Sequence, residues 1–420
     1  FRAYFDREKE VIELVPVDQD RVLVLYRDWC PEWHLQSREI RNFIELVSLS
    51  KGLVWRRSVQ HLPRNFPISS EIANRYQQFA HTVTQDCYAY FHEKKELLCL
   101  RLSDGEVLWK GQGPAGETYD FLFSDDKNFY LVENEQEGEK LASKALITVL
   151  EPKSGKLIWR KEYPGLELFS LFADGGETLV FIGREKETFT NVVVYKKSGQ
   201  HKSLGDNLRR CAIWQNQLVY GQPAVKTEVL MREYYLYSFQ SEENKLLGKS
   251  NVLNKKNPSL TNHTIIGAYD DALFMLALDE EPHLAAFSLP KFELLWQQNF
   301  PQFDIGFSLH AHRQGRLAHK SQTVLWPIKA PYLPMLFEKG NQLSLSIVNL
   351  KNGHVVFSSK AIFQRSLSDE AVYSQGKYLM ALHLANSKDR ALLIFDCEKG
   401  KFTKALQLRY KDSGGSFLLY

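Results

Sequence analysis

The feature that most constrains this chain is a strand–turn–strand unit that recurs along its length. Its clearest copy is Ala145 to Arg160, ALITVLEPKSGKLIWR. Ala145–Leu150 is a run of β-branched and aliphatic residues suited to a buried, pleated strand. Glu151-Pro152-Lys153-Ser154-Gly155 stops it. Proline fixes φ, and Gly155 supplies the positive φ of a tight hairpin. Lys156–Arg160 returns antiparallel and carries Trp159, whose indole N–H needs an acceptor when buried.

Seven further copies line up with it. Leu97–Leu102 leads through Gly105 to Trp109. Ile44–Leu49 leads through Gly52 to Trp55, and His283–Leu289 through Pro290-Lys291-Phe292 to Trp296. Leu343–Leu350 leads through Gly353 to Phe357, and Ala391–Cys397 through Gly400 to Phe402. Asn191–Tyr195 with Gly199, and Glu233–Phe239 with Ser241-Glu242-Glu243, lack the aromatic closure. Units spaced by about 45 to 60 residues are the signature of a propeller or solenoid. The 420 residues accommodate eight four-stranded blades. The expectation is an all-β chain, residues 1–420 forming a single β-propeller domain of eight blades, with seven as the alternative.

Three stretches break the repeat. Arg27–Arg41 reads as a long loop carrying Trp29 and Trp33. Within 60–85, Ser69 or Ser70 caps a short helix near 69–80, with Ile72, Tyr76 and Phe79 on one face. In the seventh unit, strands at Arg316–His319 and Thr323–Trp326 are followed by WPIKAPYLPMLF, Trp326–Phe337. Its three prolines exclude a regular central strand. The charged run Glu133–Lys144 reads as a solvated hairpin tip. Phe417–Tyr420 is strand-like; it either pairs beside an N-terminal strand and closes the ring or is the start of a further segment. The chain begins at Phe1, which suggests a processed or excised piece of a longer protein. Its compartment stays open between cytoplasmic and periplasmic or secreted.

Composition narrows the function. The formal net charge is +3, which gives no case for nucleic acid as a partner. No apolar run reaches about 18 residues, so no transmembrane helix is expected. Cys30, Cys87, Cys99, Cys211 and Cys397 are odd in number and form no C-x-x-C pair. This points away from a disulfide framework and from zinc.

The pattern of a strand, a turn glycine and a tryptophan resembles the repeat of pyrroloquinoline-quinone (PQQ)-type β-propellers. Gly105/Trp109 and Gly155/Trp159 match it, and Gly52/Trp55 matches one residue shorter. Phe292/Trp296, Gly353/Phe357 and Gly400/Phe402 match in part. The resemblance implies eight blades and assigns Trp55, Gly105, Trp109, Gly155, Trp159, Trp296 and Phe357 to docking one blade on the next. The family's aspartate at the end of the third strand is present as Asp396. Such propellers divide into cofactor-dependent dehydrogenases and non-catalytic scaffolds. The dehydrogenases carry neighbouring cysteines and a calcium site. No two cysteines are adjacent here, so the resemblance implies no cofactor and the scaffold branch.

Two clusters invite a chemical reading. His310 and His312, with His319, could supply three nitrogens to a metal, or could be ordinary loop histidines. Asp28, Cys30, Glu32 and His34 contain a cysteine–histidine pair, or form a loop packed by Trp29 and Trp33. No nucleophile elbow, metalloprotease helix, P-loop or dinucleotide fingerprint occurs. The expected function is therefore a protein-interaction scaffold without enzymatic activity, binding other proteins through loops on one face. The candidate contacts are Trp29, Trp33, Tyr76, Phe79, Trp326, Tyr332, Leu333 and Phe337, because aromatic anchors dominate interfaces. The alternative for each is a loop folded back over the blades. The alternative function is an enzyme or a small-molecule or sugar binder using the central funnel. Partner identity and oligomeric state stay open.

Overall fold

Strand follows strand because apolar, β-branched runs alternate with glycine-bearing turns along the chain. The computed structural model describes residues 9–29, 40–60, 62, 81–84, 86–91, 96–112, 121–125, 127–137, 142–174, 176–185, 188–206, 211–223, 232–239, 241, 243–249, 264–277, 283–300, 328, 330–339, 342–360, 363–364, 370–384 and 390–408. Every regular element among them is a β-strand.

The strands form eight four-stranded antiparallel sheets, and the fold is an eight-bladed β-propeller. Blade 1 holds β1 (Lys9–Pro16), β2 (Arg21–Trp29), β3 (Ile40–Ser48) and β4 (Gly52–Val59). Blade 2 holds β5 (His81–Val83), β6 (Cys87–Phe91), β7 (Glu96–Arg101) and β8 (Val107–Gln112). Blade 3 holds β9 (Phe121–Ser124), β10 (Phe129–Glu137), β11 (Ala142–Leu150) and β12 (Leu157–Pro164). Blade 4 holds β13 (Leu166–Asp174), β14 (Thr178–Glu185), β15 (Thr188–Tyr195) and β16 (His201–Asp206). Blade 5 holds β17 (Cys211–Trp214), β18 (Gln217–Pro223), β19 (Arg232–Ser238) and β20 (Asn244–Lys249). Blade 6 holds β21 (Thr264–Tyr269), β22 (Ala272–Ala277), β23 (His283–Ser288) and β24 (Leu294–Asn299). Blade 7 holds β25 (Tyr332–Lys339), β26 (Gln342–Asn349), β27 (Val355–Ser358) and the short β28 (Phe363–Gln364), which pairs with β26. Blade 8 holds β29 (Glu370–Ser374), β30 (Lys377–His383), β31 (Arg390–Asp396) and β32 (Lys401–Leu408).

By packing, the chain divides into two units, Phe1–Glu167 with Gln364–Tyr420, and Leu168–Phe363. In the first unit, Leu23, Leu25, Ile44 and Leu46 of blade 1 pack against Tyr88, Tyr90, Leu98 and Leu100 of blade 2. On its other side, blade 1 meets blade 8 through Val22, Val24, Leu379 and Leu392. In the second unit, blade 6 shares one core with blade 5 and another with blade 7. Burying the large aliphatic and aromatic side chains of these cores is the main stabilising term.

A shared turn joins the third and fourth strands. In blade 3 Gly155 N–H donates to Glu151 O at 2.9 Å, and Glu151 N–H donates to Lys156 O at 2.9 Å. The same pair of bonds recurs at Gly105, Gly199 and Gly353. Blade 6 makes it with Phe292 in the glycine position, at φ 61°.

The joints between blades use this turn. Trp55 Nε1–H donates to Leu102 O at 2.8 Å, and Trp109 Nε1–H donates to Pro152 O at 2.8 Å. Trp296 does the same to Leu350 O at 3.1 Å. Each indole covers the turn glycine of the next blade: a Cβ on Gly105, Gly155 or Gly353 would lie within 2.7 Å of Trp55, Trp109 or Trp296. Register explains the spacing, since the tryptophan always follows a bulge, opposite Leu46, Cys99, Val149 or Ala286. Trp159 and Phe357 occupy this position in blades 3 and 7.

Several expectations are corrected. The bulge in blade 8 sets Lys404, not Phe402, in the tryptophan position, and Lys404 Nζ donates to Leu49 O at 3.0 Å. Cys87–Phe91, Phe129–Val132, Thr178–Ile182, Gln217–Gly221, Ala272–Leu276 and Lys377–Leu382 each lie in a second strand, after β5, β9, β13, β17, β21 and β29. Within the charged run Glu133–Lys144 the two arms are strand: β10 and β11 pair down to Glu137 and Ala142, and Glu133 is buried, while residues 138–141 lie outside the described residues. Tyr332–Phe337 is a regular strand, β25, paired from Tyr332↔Asn349 to Lys339↔Gln342. Pro334 is tolerated because β25 is an edge strand among the described residues, where no ladder N–H is required. The helix near 69–80, the strands at 316–326 and the strand at 417–420 lie outside the described residues.

Candidate interaction face

Antiparallel order gives each sheet two unlike ends. At one end lie the turns from first to second and from third to fourth strand. At the other lie the hairpins from second to third strand and the connections to the next blade. The turn end is short and internally bonded. Asp18 Oδ1 accepts from the Asp20 and Arg21 N–H groups at 2.9 and 2.8 Å, and Asp125 Oδ1 accepts from Lys127 and Asn128 N–H at 2.8 Å. Asp396 Oδ1 accepts from Glu398 and Lys399 N–H at 3.0 and 3.1 Å. Hydrogen bonds to the ionised form hold the carboxyls of Asp104 and Glu151 below their ordinary value: chiefly from the Glu106 N–H for the first and from Ser154 for the second. Burial raises that of Asp396, but bonds and charge from Lys399 outweigh it and leave it lowered.

The other end carries the long segments. Residues 30–39 leave from β2 and return to β3. Residues 60–80 connect β4 to β5, and residues 250–263 connect β20 to β21. Trp29 is the last residue of β2, opposite Ile40, at this end. In blade 7 the third-to-fourth turn at Gly353 joins β26 to β27, so β25 holds the second-strand place and Phe337 is near its hairpin end, at the same end of its own sheet. Trp33, Tyr76, Phe79 and Trp326 lie outside the described residues. Tyr332 and Leu333 fall at the opposite, turn end. Leu333 is a correction: it is 1% exposed and packs with Phe274, Ile328 and Met335, so it is a core residue and not a contact for a partner.

The chemical clusters are not brought together. His310, His312, His319, Cys30, Glu32 and His34 lie outside the described residues, and Asp28 sits in β2 opposite Arg41. No group of three metal-ligating side chains occurs among the described residues. No helix there is long and apolar enough to cross a membrane.

The structure does assemble polar groups that sequence spacing hides. Glu45 on β3 is fully buried, accepts from Tyr26 Oη–H at 2.8 Å and ion-pairs with Arg56 on β4. Tyr26 stacks on Phe43 with centroids 5.2 Å apart, and the Arg56 guanidinium lies over the same ring at 5.9 Å. This arrangement pairs one oxygen of a buried carboxylate across three strands of one sheet, a structural role. The buried thiols of Cys87 and Cys99 lie within hydrogen-bonding reach of each other. Cys99 Sγ–H also points at Pro152 O, the carbonyl that Trp109 uses. A diagonal cross-strand pair twelve positions apart leaves no local motif.

Eight four-stranded sheets, three of them docked by a tryptophan over the next turn's glycine, make up the architecture. The fold is an eight-bladed β-propeller. Among solved structures the chain is similar to BamB from Moraxella catarrhalis: identity 9%, TM-score 0.44, covering 91% of this chain and 94% of that one. It is similar to dihydro-heme d1 dehydrogenase NirN in complex with DHE: identity 9%, TM-score 0.48, covering 98% and 76%. It is similar to quinohemoprotein alcohol dehydrogenase from Comamonas testosteroni: identity 8%, TM-score 0.44, covering 92% and 73%. At these identities the likeness is one of fold. No protein-family model and no curated protein matches the chain.

Proposed function

We propose that this protein is a non-enzymatic interaction scaffold, acting as one propeller domain over residues 1–420. Other proteins dock on the hairpin-and-connection end of its blades. The observation that carries this reading is the inequality of the two ends. The turn end is committed to its own hydrogen bonds and to blade docking. The connection end receives the segments that carry Trp33, Tyr76 and Phe79, and Trp29 closes β2 there. Loops placed by a rigid scaffold are where binding residues concentrate, and aromatic side chains supply the anchors.

Site-specific photo-crosslinking in the native host tests it. A photoreactive residue is placed at Trp33, Tyr76 or Phe79, and in parallel at Ser103, Ser154 or Lys291 on the turns. Discrete protein crosslinks from the first set alone are expected. Crosslinks that come equally from the turn set, or from the turn set alone, would overturn the assignment of the binding end.

A further inference from the structure

Blade 2 carries two thiols on one face of its sheet. Cys87 on β6 and Cys99 on β7 belong to one buried cluster, with Ala89, Phe91 and Leu97 of their own blade and Leu122, Phe129 and Leu131 of blade 3. The register sets Cys87 opposite Arg101 and Cys99 opposite Ala89, so the two cysteines are diagonal neighbours across one strand pair. Their side chains are in hydrogen-bond contact. Solvent is close by. Asp86, next to Cys87, ion-pairs with Lys153 of the blade 3 turn at 2.8 Å, and these two side chains are 56% and 68% exposed. An exposed ion pair holds weakly and opens readily.

We propose that Cys87 and Cys99 are a redox-modification site, closing reversibly to a disulfide when a small-molecule disulfide oxidises them. Cys87 is the attacking sulfur. The hydrogen bond from Cys99 lowers its pKa, aided by Thr84 and Lys153 and opposed by burial and Asp86. The Cys99 thiol is pushed up by its bond to Cys87 and by burial. Cys87 gives its proton to solvent, and the thiolate attacks one sulfur of the oxidant. The oxidant's S–S bond breaks, and its first thiolate leaves and takes up a proton. Cys99, losing its own proton, then attacks Cys87 Sγ, and the second thiolate leaves as a thiol. One S–S bond in the oxidant is exchanged for one in the protein, and two electrons and two protons pass to the oxidant. Diagonal neighbours stand farther apart than opposed ones, so the bridge closes under strain, and strained disulfides are the readily reduced kind. Closure also withdraws the Cys99 S–H from Pro152 O, 3.5 Å away, and leaves that carbonyl to Trp109.

Mass spectrometry tests this on the whole chain, kept folded with oxidised glutathione, quenched by alkylation and digested. A peptide pair joined through Cys87 and Cys99 is expected, and excess reduced glutathione should reopen it. Cys99→Ala should trap glutathione on Cys87 about tenfold more than Cys87→Ala traps it on Cys99. Circular dichroism confirms folding of each variant, and the native chain by itself decides whether the bridge forms. Cysteines 87 and 99 that both stay reduced in the folded chain would overturn the proposal. So would a bridge that forms only in denaturant, or one that excess reduced glutathione leaves closed. Glutathione trapped on Cys99 instead of Cys87 would overturn the order of attack.

Discussion

A Cβ on Gly248 would run into the ring of Phe292, which holds the turn position that glycine holds in blades 2, 3, 4 and 7. The usual joint places a large indole on the fourth strand and a glycine in the next turn. Between blades 5 and 6 the two sizes are exchanged. Gly248 follows the bulge of β20, opposite Tyr234, and the aromatic comes from the turn. Phe292 is 3% exposed and stacks on both Tyr234 and Phe287, with centroids 4.9 Å apart in each case. The volume at the joint is kept although neither residue fits the repeat.

The exchange makes a coupling prediction. Phe292→Ala is expected to cost about 3–5 kcal/mol through the lost ring, and Gly248→Ala about 1–3 kcal/mol through overpacking. In the Phe292→Ala background Gly248→Ala should cost far less. Denaturant unfolding of the four proteins measures the interaction. Additive costs would show that the two residues do not share one space.

Lys404 takes the tryptophan's place in blade 8 and makes the tryptophan's hydrogen bond. Lys404→Met keeps the stem and removes the donor, leaving Leu49 O without it, at a cost of about 1 kcal/mol. Lys404→Trp restores the repeat and should stabilise by about 1 kcal/mol through added aromatic burial. Thermal melting of both variants checks the opposite signs.

Gly155 lies under Trp109. A Cβ there would sit 2.6 Å from Trp109 Cδ2, at a backbone φ of +67°. Gly155→Ala is therefore expected to destabilise by about 1–3 kcal/mol, and Trp109→Ala by about 3–5 kcal/mol. Trp159→Ala should cost a similar amount of stability while leaving partner capture intact in the folded fraction. Unfolding midpoints together with a crosslinking assay separate the two effects.

Acid sensitivity follows from the turns. Asp104, Glu151 and Asp396 all have folded-state pKa values below their ordinary ones. A depressed carboxyl contributes stability above its unfolded value, about 4, and that contribution is lost as pH falls through the folded value. Stability is thus expected to hold from neutral pH down to about 5 and then to fall. Asp396→Asn keeps an acceptor for the Glu398 and Lys399 N–H groups but removes the charge. It should lower stability at neutral pH and flatten the acid limb. An unchanged slope in a melting series would contradict this origin.

Much of the fold was legible because third and fourth strands are joined by only a few residues. A tight turn needs glycine, and the bulge sets the tryptophan a fixed step beyond it. Short first strands were missed. β5 is HTV, β9 is FLFS and β17 is CAIW, too short for any alternation to register. β25 was misread for another reason: proline argues against a ladder position, yet an edge strand does not need that N–H. Of the candidate site, the sequence marked aromatic segments between blades. The antiparallel order then separated Trp29 and Phe337, at connection ends, from Tyr332 and the buried Leu333.

The sequence by itself determined the repeat, the all-β class and the residues of the regular joints, since the turn and bulge that set these residues form within one hairpin. Tertiary structure decided what happens where the repeat fails. Lys404 meets Leu49 across 355 positions, and Gly248 meets Phe292 across the gap between two blades. Packing at a joint constrains only the summed volume and one donor for one carbonyl. Those demands can be met by residues unlike in kind and distant in the chain, so they become visible only when the blades are brought together.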